Sequence, residues 1–242
     1  HDALPIYIFG SRVFSGGALA AGGAMFGMSG LELLSTQKLQ LVDALSPLHA
    51  GLIISAMALS AIPTSILGGA TLHRLGFLPL ISGGFLLMAT GMTLLLATRG
   101  ETLALLVVAL VLTGLGAGLA MSVSSTAIIN AAPLHRTGMA AGVEAVSYEF
   151  GTLISIALTG TLVPLLMARE LPPHLAELGT DALHHPASHA TAASAYNAGY
   201  LSTIGGLACF ALLLAAITAW CFRDNPKSGD PHAANQQKDR SP

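Results

Sequence analysis

The run MAAGVEAVSYEFGTLISIALTGTLVPLLM, Met139 to Met167, is long and apolar enough to cross a bilayer, yet it holds two glutamates, Glu144 and Glu149. A spanning helix needs about 20 predominantly apolar residues, so the run reads as one span. A carboxylate in hydrocarbon is costly. Acids kept there face a cavity or a partner and commonly carry a proton or bind a cation.

The rest of the chain supplies more of the same solvent preference. Of its 242 residues 53% are hydrophobic and 9% are charged, with a mean hydropathy of +0.70. A water-soluble domain carries about 25% charged residues, so bilayer is the solvent this composition fits. The net charge of −2 comes without a basic block, so no nucleic-acid partner is expected. Cys209 and Cys221 lie about 18 Å apart along one helix, too far to bridge, and read as small core residues.

Further runs of spanning length extend over about Val13–Leu34, Leu48–Leu72, Leu78–Thr98, Thr102–Ala131 and Ala198–Phe222. With the first run they make an all-α integral membrane protein of six helices. The expected organisation is a linker over residues 1–12, a six-helix body over 13–222 with a polar external loop at 168–197, and a disordered tail over 223–242. Arg12, Arg74, Arg136, Arg223, Lys227, Lys238 and Arg240 collect on one side, against Lys38, Arg99 and Arg169 on the other. The excess of positive charge marks the cytoplasmic side, so both termini are expected in the cytoplasm of a multi-pass inner or plasma membrane protein. Small residues recur at Gly16, Ala20, Gly23 and Gly27, at Gly114 and Gly118, and at Gly138 and Gly142, spacings that let helices approach closely in lipid.

On a helix beginning near Met139, Glu149 lies about 15 Å in, near the middle of a hydrocarbon core about 30 Å thick. Glu144 lies about half as deep, nearer the cytoplasm. Five residues turn the helix by about 500°, so the two carboxylates point roughly 140° apart. Glu144 shares its face with Ser147, Tyr148, Gly151 and Ser155, a small and polar stripe suited to a cavity wall. Glu149 is flanked by Ala145, Val146, Leu153 and Ile156, drier surroundings that fit either a proton site or a buried structural acid. Glu32 falls about 30 Å from the start of the first span, at the external interface, where its side chain snorkels to water. With Gln37 and Gln40 it frames an external vestibule. The four histidines His174, His184, His185 and His189 fit no compact ligand set, so no metal site is expected. Neither GxSxG, HExxH nor GxxxxGK[ST] occurs, which argues against an enzyme.

Three stretches carry a resemblance. SSTAIINAAPLHRTGMAAGVEAVSYEFG, Ser124 to Gly151, resembles the junction before the penultimate helix of major facilitator multidrug efflux pumps, in the fourteen-helix drug:proton antiporter family that exports quaternary ammonium compounds and cationic dyes. GLELLSTQKLQLVDALSPLHAGL, Gly30 to Leu52, is similar to that family's ninth helix, external loop and start of the tenth. GATLHRLGF, Gly69 to Phe77, is similar to the second-half copy of the G-x-x-x-D-R-x-G loop motif, with His73 where aspartate often stands, and with Gly69, Arg74 and Gly76 at the motif positions.

The resemblance covers about Val13 to Phe222. It implies the C-terminal six-helix half of such a pump, built as two three-helix inverted repeats with substrate held between halves. It also implies that Glu144 and Glu149, with Tyr148 and Ser147 beside them and Glu32 beyond, serve cation binding and proton coupling. Ala145 stands where some members carry a second acid next to Glu144. No cofactor is implied beyond the proton gradient. The partners implied are the lipid bilayer, small lipophilic cationic drugs, protons and the N-terminal half of the same transporter. The chain opens on His1 with no signal-peptide pattern before the first span and reads as a piece of something longer. A carrier of another substrate class and a truncated non-transporting membrane fragment are the competing readings.

Overall fold

The computed structural model describes residues 11–99, 102–176, 178–185 and 187–223. The expected linker up to Gly10 and the tail beyond Arg223 lie outside these residues. The chain forms α1 (Arg12–Gln37), α2 (Pro47–Leu75), α3 (Phe77–Ala97), α4 (Leu103–Ala131), α5 (Thr137–Glu170), a one-turn α6 (Pro173–Ala176) and α7 (His189–Phe222). Among the described residues six of these helices are long and apolar enough to cross a membrane.

Local chemistry sets the helix ends. The Ser11 hydroxyl accepts the Phe14 N–H at 3.5 Å and opens α1. The Ser46 hydroxyl accepts the His49 N–H at 3.4 Å, with Pro47 in the first turn, and opens α2. Gly76 alone joins α2 to α3, at φ +81° and ψ 175°, backbone angles that an L side chain resists. Pro63 and Pro164 fall inside continuous helices, α2 and α5. At its far end α1 continues into a π-turn, Lys38–Val42.

The loop expected at 168–197 is shorter than its polarity implied, because α5 runs on to Glu170 and α7 starts at His189. The segment HATAASAYN, from His189 to Asn197, is polar enough to read as loop by hydropathy. Its alanines favour helix, and Ala192, Ala195 and Tyr196 are buried against the bundle.

The packing is two-fold in pattern. α2 crosses α4 and α5 crosses α1; α3 packs on α4 and α7 on α1; α1 meets α4 and α3 meets α7. Exchanging α1, α2, α3 for α4, α5, α7 leaves these contacts unchanged; the exception is that α5 also packs on α7, whereas α2 barely meets α3. Three helices per repeat is an odd number, so the second repeat starts from the opposite membrane side and the repeats are inverted.

The two crossings use the same glue. On α4, a Cβ at Gly114 would fall on the Met57 carbonyl and one at Gly118 on the Ala61 carbonyl. On α5, a Cβ at Gly151 would fall on the Gly22 carbonyl. Hydroxyl-to-carbonyl bonds lock both: Ser60 to Val111 at 3.1 Å and Ser122 to Ser65 at 2.8 Å across α2–α4, and Ser155 to Phe26 at 2.6 Å across α1–α5. Lipid offers no hydrophobic drive between helices, so close approach and such bonds hold them together. Gly138 and Gly142, expected to help, have no atom within 4 Å of where a Cβ would stand and make no close approach. The most apolar windows of α2 and α5 are 17% and 28% buried, against 61% for α1, so these two arms have broad faces open to other surroundings.

Candidate functional site

The acids of α5 occupy two different environments. Glu144 is half-buried, and its Oε1 accepts the Tyr148 hydroxyl at 3.0 Å. The same hydroxyl lies 3.5 Å from the Met121 carbonyl of α4, so Tyr148 ties the carboxylate to the neighbouring helix. Glu149 is exposed, on an outer face with exposed Val146, Phe150, Leu153 and Ile156. Among the described residues it has no hydrogen-bond or ion-pair partner.

The structure adds detail to two expectations here. The stripe Ser147, Gly151 and Ser155 forms the α1–α5 seam, and Ser147 and Gly151 also border an apolar cavity beside it. Ser147 gives its hydroxyl to the Val143 carbonyl at 2.8 Å, and Gly151 and Ser155 are buried against α1. Small side chains suit both a cavity wall and a close contact, and this stripe serves as both. Glu149 has the apolar neighbours expected of it, on the face of α5 that α1 leaves uncovered.

An apolar trough of about 610 Å³ runs beside the seam, bounded by Gly22, Phe26, Ser147, Phe150, Ile154 and Phe210. The Phe26 and Phe210 rings sit 4.5 Å apart at its wall. Glu32 is exposed and lines a separate cleft of about 350 Å³ between α1 and α2. Gln37 does not frame a vestibule: its Oε1 accepts the Tyr196 hydroxyl at 3.4 Å and ties α1 to α7. In the loop motif His73 and Arg74 are both exposed, Arg74 Nε donating to His73 Nε2 at 3.3 Å, and Gly76 makes the single-residue turn. Gly69 is exposed beside Ser122 of α4. The structure thus brings Glu144 and Tyr148 together, while among the described residues no hydrogen bond or ion pair joins Glu149, Glu32 or the loop-motif side chains to them. Among the described residues no group of three or more His, Cys, Asp or Glu side chains is placed to hold a metal.

One pair escaped the sequence reading. Lys38 is buried, its Nζ 3.1 Å from Asp43 Oδ2 and 6.0 Å from the centre of the Tyr200 ring. Its signal was a basic and an acidic residue five apart, the spacing that a π-turn brings onto one face. With Lys38 withdrawn into this pair, Arg99 and Arg169 are the exposed cations at that end of the bundle among the described residues, against Arg12, Arg74 and Arg223 at the other.

The family model of the Major Facilitator Superfamily matches residues 13–241, and the chain belongs to that family. It is similar to the multidrug resistance protein Stp of Mycobacterium tuberculosis, with 31% identity over 150 residues, 62% of this chain and 28% of Stp. It is also similar to the methyl viologen resistance protein SmvA of Salmonella typhimurium, with 32% identity over 157 residues, 64% of this chain and 32% of SmvA. The multidrug efflux pump LfrA of Mycolicibacterium smegmatis shares 29% identity over 160 residues, 66% of this chain and 32% of LfrA. The chain therefore spans about a third of the length of the curated relatives it matches.

Proposed function

We propose that this chain is the C-terminal six-helix half of a proton-coupled exporter of lipophilic cations, quaternary ammonium compounds among them. Its termini would lie in the cytoplasm and its body in the inner or plasma membrane. Glu149 carries the reading. It stands about 18 Å along α5 from Thr137, on an apolar face, with no partner among the described residues. A charge facing lipid at such depth costs about 2.5–3.5 kcal/mol or more. That face is therefore covered in the working protein by a water-lined cavity or by another helical bundle, and the N-terminal half of the transporter is the partner the family fold supplies.

In this scheme Glu149 alternates between a proton and a cation. Protonation releases the drug and deprotonation admits another, two ligands linked through one carboxylate. Glu144, held by Tyr148, places a second negative charge beside the path without presenting it fully. The relatives' names, multidrug resistance and methyl viologen resistance, support a cationic drug as cargo. Rocking of the two halves would supply alternating access.

The test is proton-driven export of ethidium and benzalkonium in a full-length transporter carrying this chain's sequence as its second half. Glu149→Gln and Glu144→Gln should each abolish export, the first most completely. Undiminished export by both variants would overturn the assignment. A competition panel of cations, anions and sugars separates this reading from a carrier of another substrate class.

A further inference from the structure

The two-fold pattern pairs the α1–α2 crevice with the α4–α5 crevice, and the two are filled differently. In the α4–α5 crevice the Tyr148 ring lies half-buried and its hydroxyl takes the Glu144 carboxylate. Tyr148 stands eleven residues after Thr137, the first residue of α5; eleven residues after Pro47, the first of α2, stands Ala58. The ring that plugs one crevice is a methyl group in the other. What remains is the cleft of about 350 Å³ bordered by Met28, Glu32 and Thr36 of α1 and Gly51, Ser55 and Met57 of α2. Gly51 adds to the room, since nothing lies within 4 Å of where its Cβ would stand.

Glu32 enters this cleft with no hydrogen-bond or ion-pair partner among the described residues. It sits five residues before the end of α1, about 8 Å from that end. Glu144 sits seven residues after the start of α5, at the opposite end of the bundle. The chemistry of the walls selects the ligand. One carboxylate repels anions. Two thioethers are soft and polarisable and suit methylene and aryl surface, whereas a hard inorganic cation such as calcium needs six to eight oxygens. The volume lies within the about 300–1,000 Å³ range of small-molecule sites.

We propose that the α1–α2 cleft is a binding site for a monovalent lipophilic organic cation, with Glu32 as its counter-ion, separate from the α5 acids. The choice of ligand rests on the exporter reading; the cleft and its unpartnered carboxylate do not.

The experiment is equilibrium binding of radiolabelled tetraphenylphosphonium to the chain in lipid nanodiscs at neutral pH. The Glu144→Gln, Glu149→Gln double variant isolates the cleft and should retain saturable binding. Adding Glu32→Gln should weaken that binding roughly tenfold, the loss of one partly desolvated charge contact. Gly51→Leu, which fills the cleft and leaves the carboxylate in place, should weaken it as much, so the result does not depend on how well Glu32→Gln folds. The proposal is overturned if the double variant shows only non-saturable partitioning into lipid, or if neither Glu32→Gln nor Gly51→Leu alters its isotherm. The two readings fail separately. Undiminished export by the α5 variants leaves a Glu32-dependent isotherm standing, and a flat Glu32 result leaves the export assignment untouched.

Discussion

The α2–α4 and α1–α5 crossings are built alike and carry different cargo. Each brings backbones together at glycines, Gly114 and Gly118 in one and Gly22 and Gly151 in the other, and each is locked by serine hydroxyls on carbonyls of the facing helix. Only the second brings acids with it. The α2–α4 crossing shows that this geometry closes without any carboxylate, so the α1–α5 crossing does not need Glu144 or Glu149 to close. Charged groups held in a membrane without a packing role point to function.

Breaking the seam itself should have the largest effect. Gly151→Leu forces a side chain into the Gly22 backbone and should destabilise the bundle by about 3 kcal/mol, read as loss of folded protein in denaturant-titrated steric trapping. Gly114→Leu should do comparable damage at α2–α4. A mild effect at one site and a severe effect at the other would break the equivalence of the two crossings.

A smaller effect sharpens the contrast between the acids. Tyr148→Phe removes the hydroxyl on Glu144 and should lower stability by about 0.6 kcal/mol, the average for such bonds in membrane bundles. Hydrophobic carbodiimide should label Glu149 before Glu144 in the parent, and Tyr148→Phe should bring Glu144 labelling up toward that of Glu149. Equal labelling of both acids in the parent would contradict the tether.

The smallest effect has the opposite sign. Gly142 touches nothing within 4 Å of its Cβ position, so Gly142→Ala should stabilise α5 by about 0.5–1 kcal/mol through helix propensity alone. Destabilisation in a thermal melt would show that α5 is packed there after all.

The spans were legible because hydrocarbon leaves the backbone few choices: long apolar runs must be helices, and their number and order follow. Helix ends were less so. HATAASAYN reads as loop by polarity and is helix by propensity and burial. The roughly 140° between Glu144 and Glu149 was also legible, since it depends only on helical pitch. Which of them stands in the open was not. The stripe Ser147–Gly151–Ser155 is small and polar whether it lines water or meets a helix, and nothing local to α5 says that Gly22 and Phe26 of α1 fill that space. Lys38 read as a loop charge, whereas a π-turn pairs it with Asp43 and sets it beside the Tyr200 ring.

By itself the sequence determined six helices long and apolar enough to cross a membrane, with two carboxylates at a fixed spacing and angle along one of them, because pitch, rise and hydropathy are local properties. The tertiary structure alone decided which faces are seams and which are open, how Glu144 is tethered while Glu149 and Glu32 stand unpartnered among the described residues, and where a cleft remains. Those outcomes depend on which distant helix arrives at each face, and contact between segments more than a hundred residues apart, as between Ser155 and Phe26, leaves no local trace in either one.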